Sequence, residues 1–238
     1  MRLFKISLTL NPCNKMKKII ILSIIIISLS PARTEAQTIN WQALPEKGHV
    51  FGVNVGWDYS FSWGFSYGYK LNTKIPIILK TDVSIPSGNK PLDDFKVKLG
   101  AIIRWYRKGS FCFSTETDGI FRRYENDYVR LLNFGSLMSG IAGYYKPKWM
   151  VAGEFGFDKA IVTHFKNSEQ MRDMYPGIVN GWYQPATGGN FHYGIQGGYS
   201  FAHSDLMLKA GKVVQQDFKT NPVIPFYCQF SYNFRLQR

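Results

Sequence analysis

Strict alternation begins at position 49 and is the dominant pattern in the chain. Odd positions read His49, Phe51, Val53, Val55, Trp57, Tyr59, Phe61, Trp63, Phe65, Tyr67, Tyr69 and Leu71, while the even positions between them are mostly Gly, Ser and Asn. A period of two puts successive side chains on opposite faces of a strand. The run is too long for one strand, so it predicts two, joined near 58–60. Eight further segments carry the same signal: 75–85, 95–105, 111–121, 130–145, 149–161, 191–201, 206–214 and 224–236. In 95–105, for example, Phe95, Val97, Leu99, Ala101, Ile103 and Trp105 oppose Lys96, Lys98, Gly100 and Arg104. The segment 130–145 is the least regular, and alternation does not fix its phase.

The sum is ten antiparallel strands in an up-and-down order, an all-β chain. Tight polar links are expected at 72–74, 106–110, 146–148 and 202–205, with the other links longer and 162–190 by far the longest. Ring-bearing residues gather beside the tight links: Tyr69, Trp105, Tyr106, Tyr144, Tyr145, Trp149, Tyr199, Phe201, Tyr232 and Phe234. Amphipathic rings in such a girdle favour a boundary between water and an apolar phase. The composition agrees, with aromatics at 16% and 22 Gly among 238 residues.

The first 36 residues read differently. Met16-Lys17-Lys18 is a compact basic stretch, 19–29 is an apolar run, and Thr34-Glu35-Ala36 offers small residues before Gln37. This is the layout of a removable signal peptide, with Met16 the expected start of translation, because residues 1–15 add nothing an export signal needs. The apolar run falls short of the ~20 residues that a spanning helix requires. Residues 37–47 then form a short N-terminal segment and 48–238 the strand-rich domain. Six basic residues against Glu35 in the leader remove +5 of the formal +13, leaving +8 for the remainder. Those charges are scattered and carry no nucleic-acid motif, so nucleic acid is not an expected partner.

The leader, the repeated alternating strands and the ending Phe230-Ser231-Tyr232-Asn233-Phe234-Arg235-Leu236 resemble the small outer-membrane β-barrel proteins of Gram-negative bacteria. The resemblance implies a transmembrane β-barrel of the cell outer membrane, in contact with outer-membrane lipid and lipopolysaccharide. It also implies handling by the barrel assembly machinery, which reads an aromatic-rich last strand. The long link would then be extracellular. A secreted, soluble, lipocalin-like binding barrel is the competing architecture, in which the apolar face would be the core.

In a membrane barrel the polar set points inward. The inward positions of the third to fifth and seventh strands give Lys80, Asp82, Lys96, Lys98, Arg104, Glu116, Asp118, Glu154 and Asp158. So balanced a set is expected to pair and fill most of the lumen. Inward glycines such as Gly100 are expected to tolerate serine. Histidines lack metal-ligand spacing, and no cofactor is expected. The pair His203-Ser204 invites comparison with barrel enzymes acting on lipid A, yet neighbours on a strand face opposite ways; the chain is expected to be no enzyme. Cys112 and Cys228 fall on opposite faces of distant strands, too far apart for a disulfide. In the link 163–190, Phe165, Lys166, Arg172, Tyr175, Trp182 and Tyr183 are the candidate contacts for a protein or small-molecule ligand. The functional expectation is a structural, binding or narrow transport role.

Overall fold

A computed structural model describes residues 38–45, 48–57, 60–87, 93–185, 189–220, 222 and 224–237. The expected signal peptide, 1–36, lies outside the described residues. Alternation resolves into β1 (Gly48–Trp57), β2 (Phe61–Leu71), β3 (Ile77–Pro86), β4 (Asp94–Lys108), β5 (Phe111–Glu125) and β6 (Val129–Tyr145). There follow β7 (Trp149–Asn167), a short helix α1 (Glu169–Met174), β8 (Gly181–Tyr183), β9 (Gly189–Ser200), β10 (Ser204–Gln215) and β11 (Phe226–Gln237). Ten of the strands form a closed antiparallel barrel. β1 pairs with β11 along its whole length, from Gly48 opposite Gln237 to Trp57 opposite Cys228. On its other side β1 packs on β2, where the His49 Nδ1 and the Tyr67 hydroxyl share a 2.7 Å hydrogen bond. Closure gives each of the ten barrel strands a neighbour on both sides.

The faces are polarised in the reverse of a soluble core. Leu99 is 63% exposed and Phe155 58%, whereas Lys98 is 3% exposed and Glu116 2%. The segment 130–145 acquires a phase here: Leu137, Ser139, Ile141 and Tyr145 are buried inside, with Phe134, Met138 and Tyr144 outside. Alternation fails to reveal it because both faces are apolar near the tight turns. Inside that end, Val50, Ile78, Ile102, Cys112, Ile141, Tyr145, Met150 and Met207 form an apolar cluster. Tyr145 therefore leaves the expected girdle and is a core residue, 2% exposed.

Strand lengths differ from expectation in one systematic way. β4 to β7 run 15, 15, 17 and 19 residues, so the barrel has a tall side. Tyr106 to Lys108 belong to β4, and that link shrinks to a Gly109-Ser110 turn. The link between β5 and β6, expected to be long, is only 126–128, closed by the Asn126 side chain accepting from the Tyr128 and Val129 amides at 2.9 and 2.8 Å. Likewise His164 to Asn167 continue β7 instead of opening the long loop.

Candidate functional site

The lumen is built in three levels. Its floor, at the tight-turn end, is a stopper that alternation could not predict: residues 38–45 enter the barrel and bury Ile39, Asn40, Trp41 and Leu44 against the apolar cluster. Burying Ile39 and Leu44 contributes roughly 1.5–3 kcal/mol each. Polar contacts fix the stopper to the wall. The Asn40 side-chain amide donates to the Lys146 carbonyl and the Ser200 hydroxyl, both at 2.9 Å. Asn233 Nδ2 donates to the Thr38 carbonyl at 2.7 Å, and Lys70 Nζ to the Pro45 carbonyl at 2.8 Å. Arg235 donates to the Ala43 carbonyl and pairs with Asp205 at 3.2 Å. The Arg104 guanidinium lies 5.1 Å from the Trp41 ring centre.

The middle level is charged. Lys80 Nζ, from β3, meets Glu116 Oε1 at 2.5 Å, Asp118 Oδ2 at 2.8 Å and Asp82 Oδ2 at 3.1 Å, with no part of its side chain exposed. Across the barrel Lys209 Nζ lies 2.9 Å from Glu154 Oε2, and Glu154 also accepts from Gln196 and the Tyr227 hydroxyl. Beside this network Ser139 Oγ and His192 Nε2 are 3.2 Å apart, spanning Gly156 of the intervening strand. A Cβ at Gly156 would lie 2.3 Å from Ser139 Oγ and 2.4 Å from His192 Cε1, so only glycine leaves room for that contact.

The upper level is an open mouth, a cavity of about 670 Å³ lined by Lys96, Lys98, Arg122, Asp158, Lys159 and Phe165 among others. Arg122 grips Asp94 through two hydrogen bonds, 2.9 and 2.6 Å, the planar fork that guanidinium and carboxylate form. Asn190 donates to Asp158 at 3.4 Å. At the rim, Asp217 accepts from the Lys219 and Thr220 amides, both at 3.0 Å, and those donors hold its carboxyl below the usual carboxylate range.

Of the nine charges expected inside, Lys80, Asp82, Lys96, Lys98, Glu116, Asp118 and Glu154 are buried in the lumen. Asp158 stands half-exposed at the mouth, and Arg104 half-exposed over the stopper. Sequence reasoning missed Lys209 and Asp205, whereas Arg235, turned inward by the alternation of 224–236, is buried as that alternation implies. The signal for Lys209 was present, since it alternates with the outward Leu206 and Leu208. The Ser139–His192 contact had none, because 53 residues separate the partners. His203 is exposed in a turn while Ser204 is buried at the start of β10, so that pair is split. Cys112 and Cys228 are both free thiols.

The long link is less free than expected. β8 extends the wall where β9 ends, pairing His164 with Trp182 and Phe165 with Gly181. Asn180 Oδ1 accepts from the Asn167 amide at 2.7 Å, and Ser168 caps α1 by accepting from the Met171 amide at 3.2 Å. Phe165 and Tyr183 pack edge to face, 5.3 Å apart, while the Tyr183 hydroxyl donates to the Val179 carbonyl. Lys166, Arg172 and Tyr175 are exposed, and Trp182 is exposed on the outer face. The six candidates therefore divide among different surfaces and form no single site. Among known proteins, no family model matches the chain and no curated sequence does.

Proposed function

We propose that the chain is an exported outer-membrane β-barrel whose lumen is stoppered at the periplasmic end, and that it serves as a structural and binding component of the cell surface. The observation that carries this reading is the reversed polarity of the wall. Large apolar side chains such as Phe65, Leu99, Phe155 and Ile195 project outward all around, while charge is sequestered within. In water such a surface would aggregate, because monomeric soluble proteins rarely expose large apolar patches. In lipid it is the solvated face, and closure pairs the backbone groups of neighbouring barrel strands as a spanning sheet requires. A soluble lipocalin-like barrel would need the opposite arrangement.

The stopper favours binding over conduction. Trp41 and its neighbours fill the lumen at one end, and paired charges fill its middle, leaving the mouth as a blind vestibule. The test combines fractionation with conductance. Expressed in a Gram-negative host, the chain should reach the outer membrane and show heat-modifiable gel mobility. In planar bilayers it should give no steady conductance. Recovery as a soluble, heat-insensitive protein overturns the membrane reading. Steady conductance by the intact chain overturns the stoppered lumen and returns the narrow transport role.

A further inference from the structure

Three side-chain oxygens on the inner wall lack a hydrogen-bond partner among the described residues: Asn233 Oδ1 of β11, Ser66 Oγ of β2 and Asp82 Oδ1 of β3. Their residues are 1%, 6% and 7% exposed. Register sets them in one row. Asn233 stands opposite Gly52 of β1, and Ser66 opposite Asp82. A Cβ at Gly52 would collide with both Ser66 Oγ and Asn233 Oδ1, so those two oxygens converge over the glycine. Buried acceptors normally find a donor, and three orphans in one row call for a group with several N–H bonds. The stopper reaches this row. Asn233 Nδ2 donates to the Thr38 carbonyl at 2.7 Å, which leaves the orphaned Oδ1 beside the first described residue of the chain. Thr38, Ile39 and Asn40 are 3%, 6% and 0% exposed, so the polypeptide is already inside the lumen at that point.

We infer that the row is the seat of the α-ammonium created when the leader is cut off before Gln37, and that the stopper seats only in the processed chain. The inference rests on the exported-barrel reading and adds a maturation step to it. Hydrolysis of the Ala36–Gln37 peptide bond, with water as co-reactant, leaves a carboxylate on the leader and an ammonium one residue before Thr38. That ammonium carries three N–H donors for three orphaned oxygens, and charge-assisted hydrogen bonds are the strong ones. Charge admits one such cation. Around the row Arg235, Lys80 and Lys98 stand against Asp205, Asp82, Glu116 and Asp118. Lys209 and Glu154 pair with each other across the barrel, and Arg104, half-exposed, lies over Trp41 outside the row. A divalent metal ion would overshoot that balance. A leader still attached supplies only one amide N–H at the same place, without charge.

The test uses chains folded in detergent micelles, with Trp41 the single tryptophan and the others changed to Phe; heat-modifiable mobility reports folding. Three chains are compared: one beginning at Gln37, the same chain acetylated at its α-amine, and one beginning at Met16 with the leader attached. Acrylamide should quench Trp41 weakly in the first and strongly in the other two. An amine-reactive ester at neutral pH should modify the Gln37 amine of the folded chain at least roughly tenfold more slowly than in urea, the factor that one charge-assisted hydrogen bond supplies. Asn233→Ala should remove that slowing, while Ser231→Ala, inward on β11 but outside the row, should keep it. Trp41 shielded in the acetylated or leader-bearing chain as well, or rapid modification of the folded wild-type amine, overturns the inference and leaves the row to water or a metal ion. If the acetylated and leader-bearing chains do not fold, the modification rates decide. A Gln37 chain that does not fold in micelles overturns the barrel reading and this inference with it.

Discussion

Replacing Lys80→Met perturbs the centre of the lumen while nearly keeping side-chain length. Three carboxylates, Asp82, Glu116 and Asp118, share the Lys80 ammonium at 3.1, 2.5 and 2.8 Å, and no part of that side chain is exposed. Removing one partner of a buried ion pair destabilises by about 3–5 kcal/mol, because the remaining charge is left uncompensated. Here three acids lose a shared partner at once. The expected loss therefore lies at the upper end, about 4–5 kcal/mol. The assay is urea unfolding in lipid vesicles, read by heat-modifiable mobility. Adding Asp82→Asn, Glu116→Gln and Asp118→Asn to the lysine change replaces the stranded charges by neutral amides of similar shape. That quadruple variant should return to within about 2 kcal/mol of the wild type, since a buried ion network contributes little beyond a neutral filling. A loss below ~1 kcal/mol for Lys80→Met, or a quadruple variant no better than the single one, would refute the reasoning.

Other substitutions separate the two faces of the wall. Leu99→Lys places a charge on the outer face and should destabilise by roughly 2–4 kcal/mol if that level is the bilayer midplane; tolerance in the same unfolding assay argues against lipid contact. Gly100→Ser should also be damaging, by about 1–3 kcal/mol, because overpacking forces the backbone to shift. Unchanged unfolding of that variant would show that the β4–β5 spacing is looser than described. Deleting 168–186 should leave insertion and heat-modifiability intact, because it removes α1 and β8 but none of the ten barrel strands. Failure to insert would mean that β8 is needed to hold the tall wall upright.

Gly100 also illustrates where sequence reading stops. Alternation correctly turns it inward, and from that alone a serine looked harmless. A Cβ there would lie 1.9 Å from the Thr117 carbonyl oxygen and 2.2 Å from Asp118 Oδ1, a closeness set by the neighbouring strand. Strand number, facing and most inward charges were legible because a period of two is a local property. Register is not, so neither the cluster around Lys80 nor the Ser139–His192 contact could be read in advance. The stopper escaped for another reason. Ile39, Trp41 and Leu44 precede the first strand without any periodicity, and their burial is decided by an apolar floor assembled from seven different strands. That same floor blurred the phase of β6, since Ile141 and Tyr145 are apolar on the face expected to be polar.

The central claim is that the outer face meets lipid while the stopper does not, and the six tryptophans report on it directly. Trp63, Trp105, Trp149 and Trp182 are exposed on the outer face, and Trp41 is 4% exposed inside the lumen. Chains retaining one tryptophan, the others changed to Phe, would be folded into vesicles of brominated phosphatidylcholine and their fluorescence compared with that in unbrominated vesicles. Strong quenching for the chain keeping Trp63 or Trp149, with little for the chain keeping Trp41, is the result this account predicts. Equal quenching of all of them, or none for the outer-face tryptophans, would contradict it.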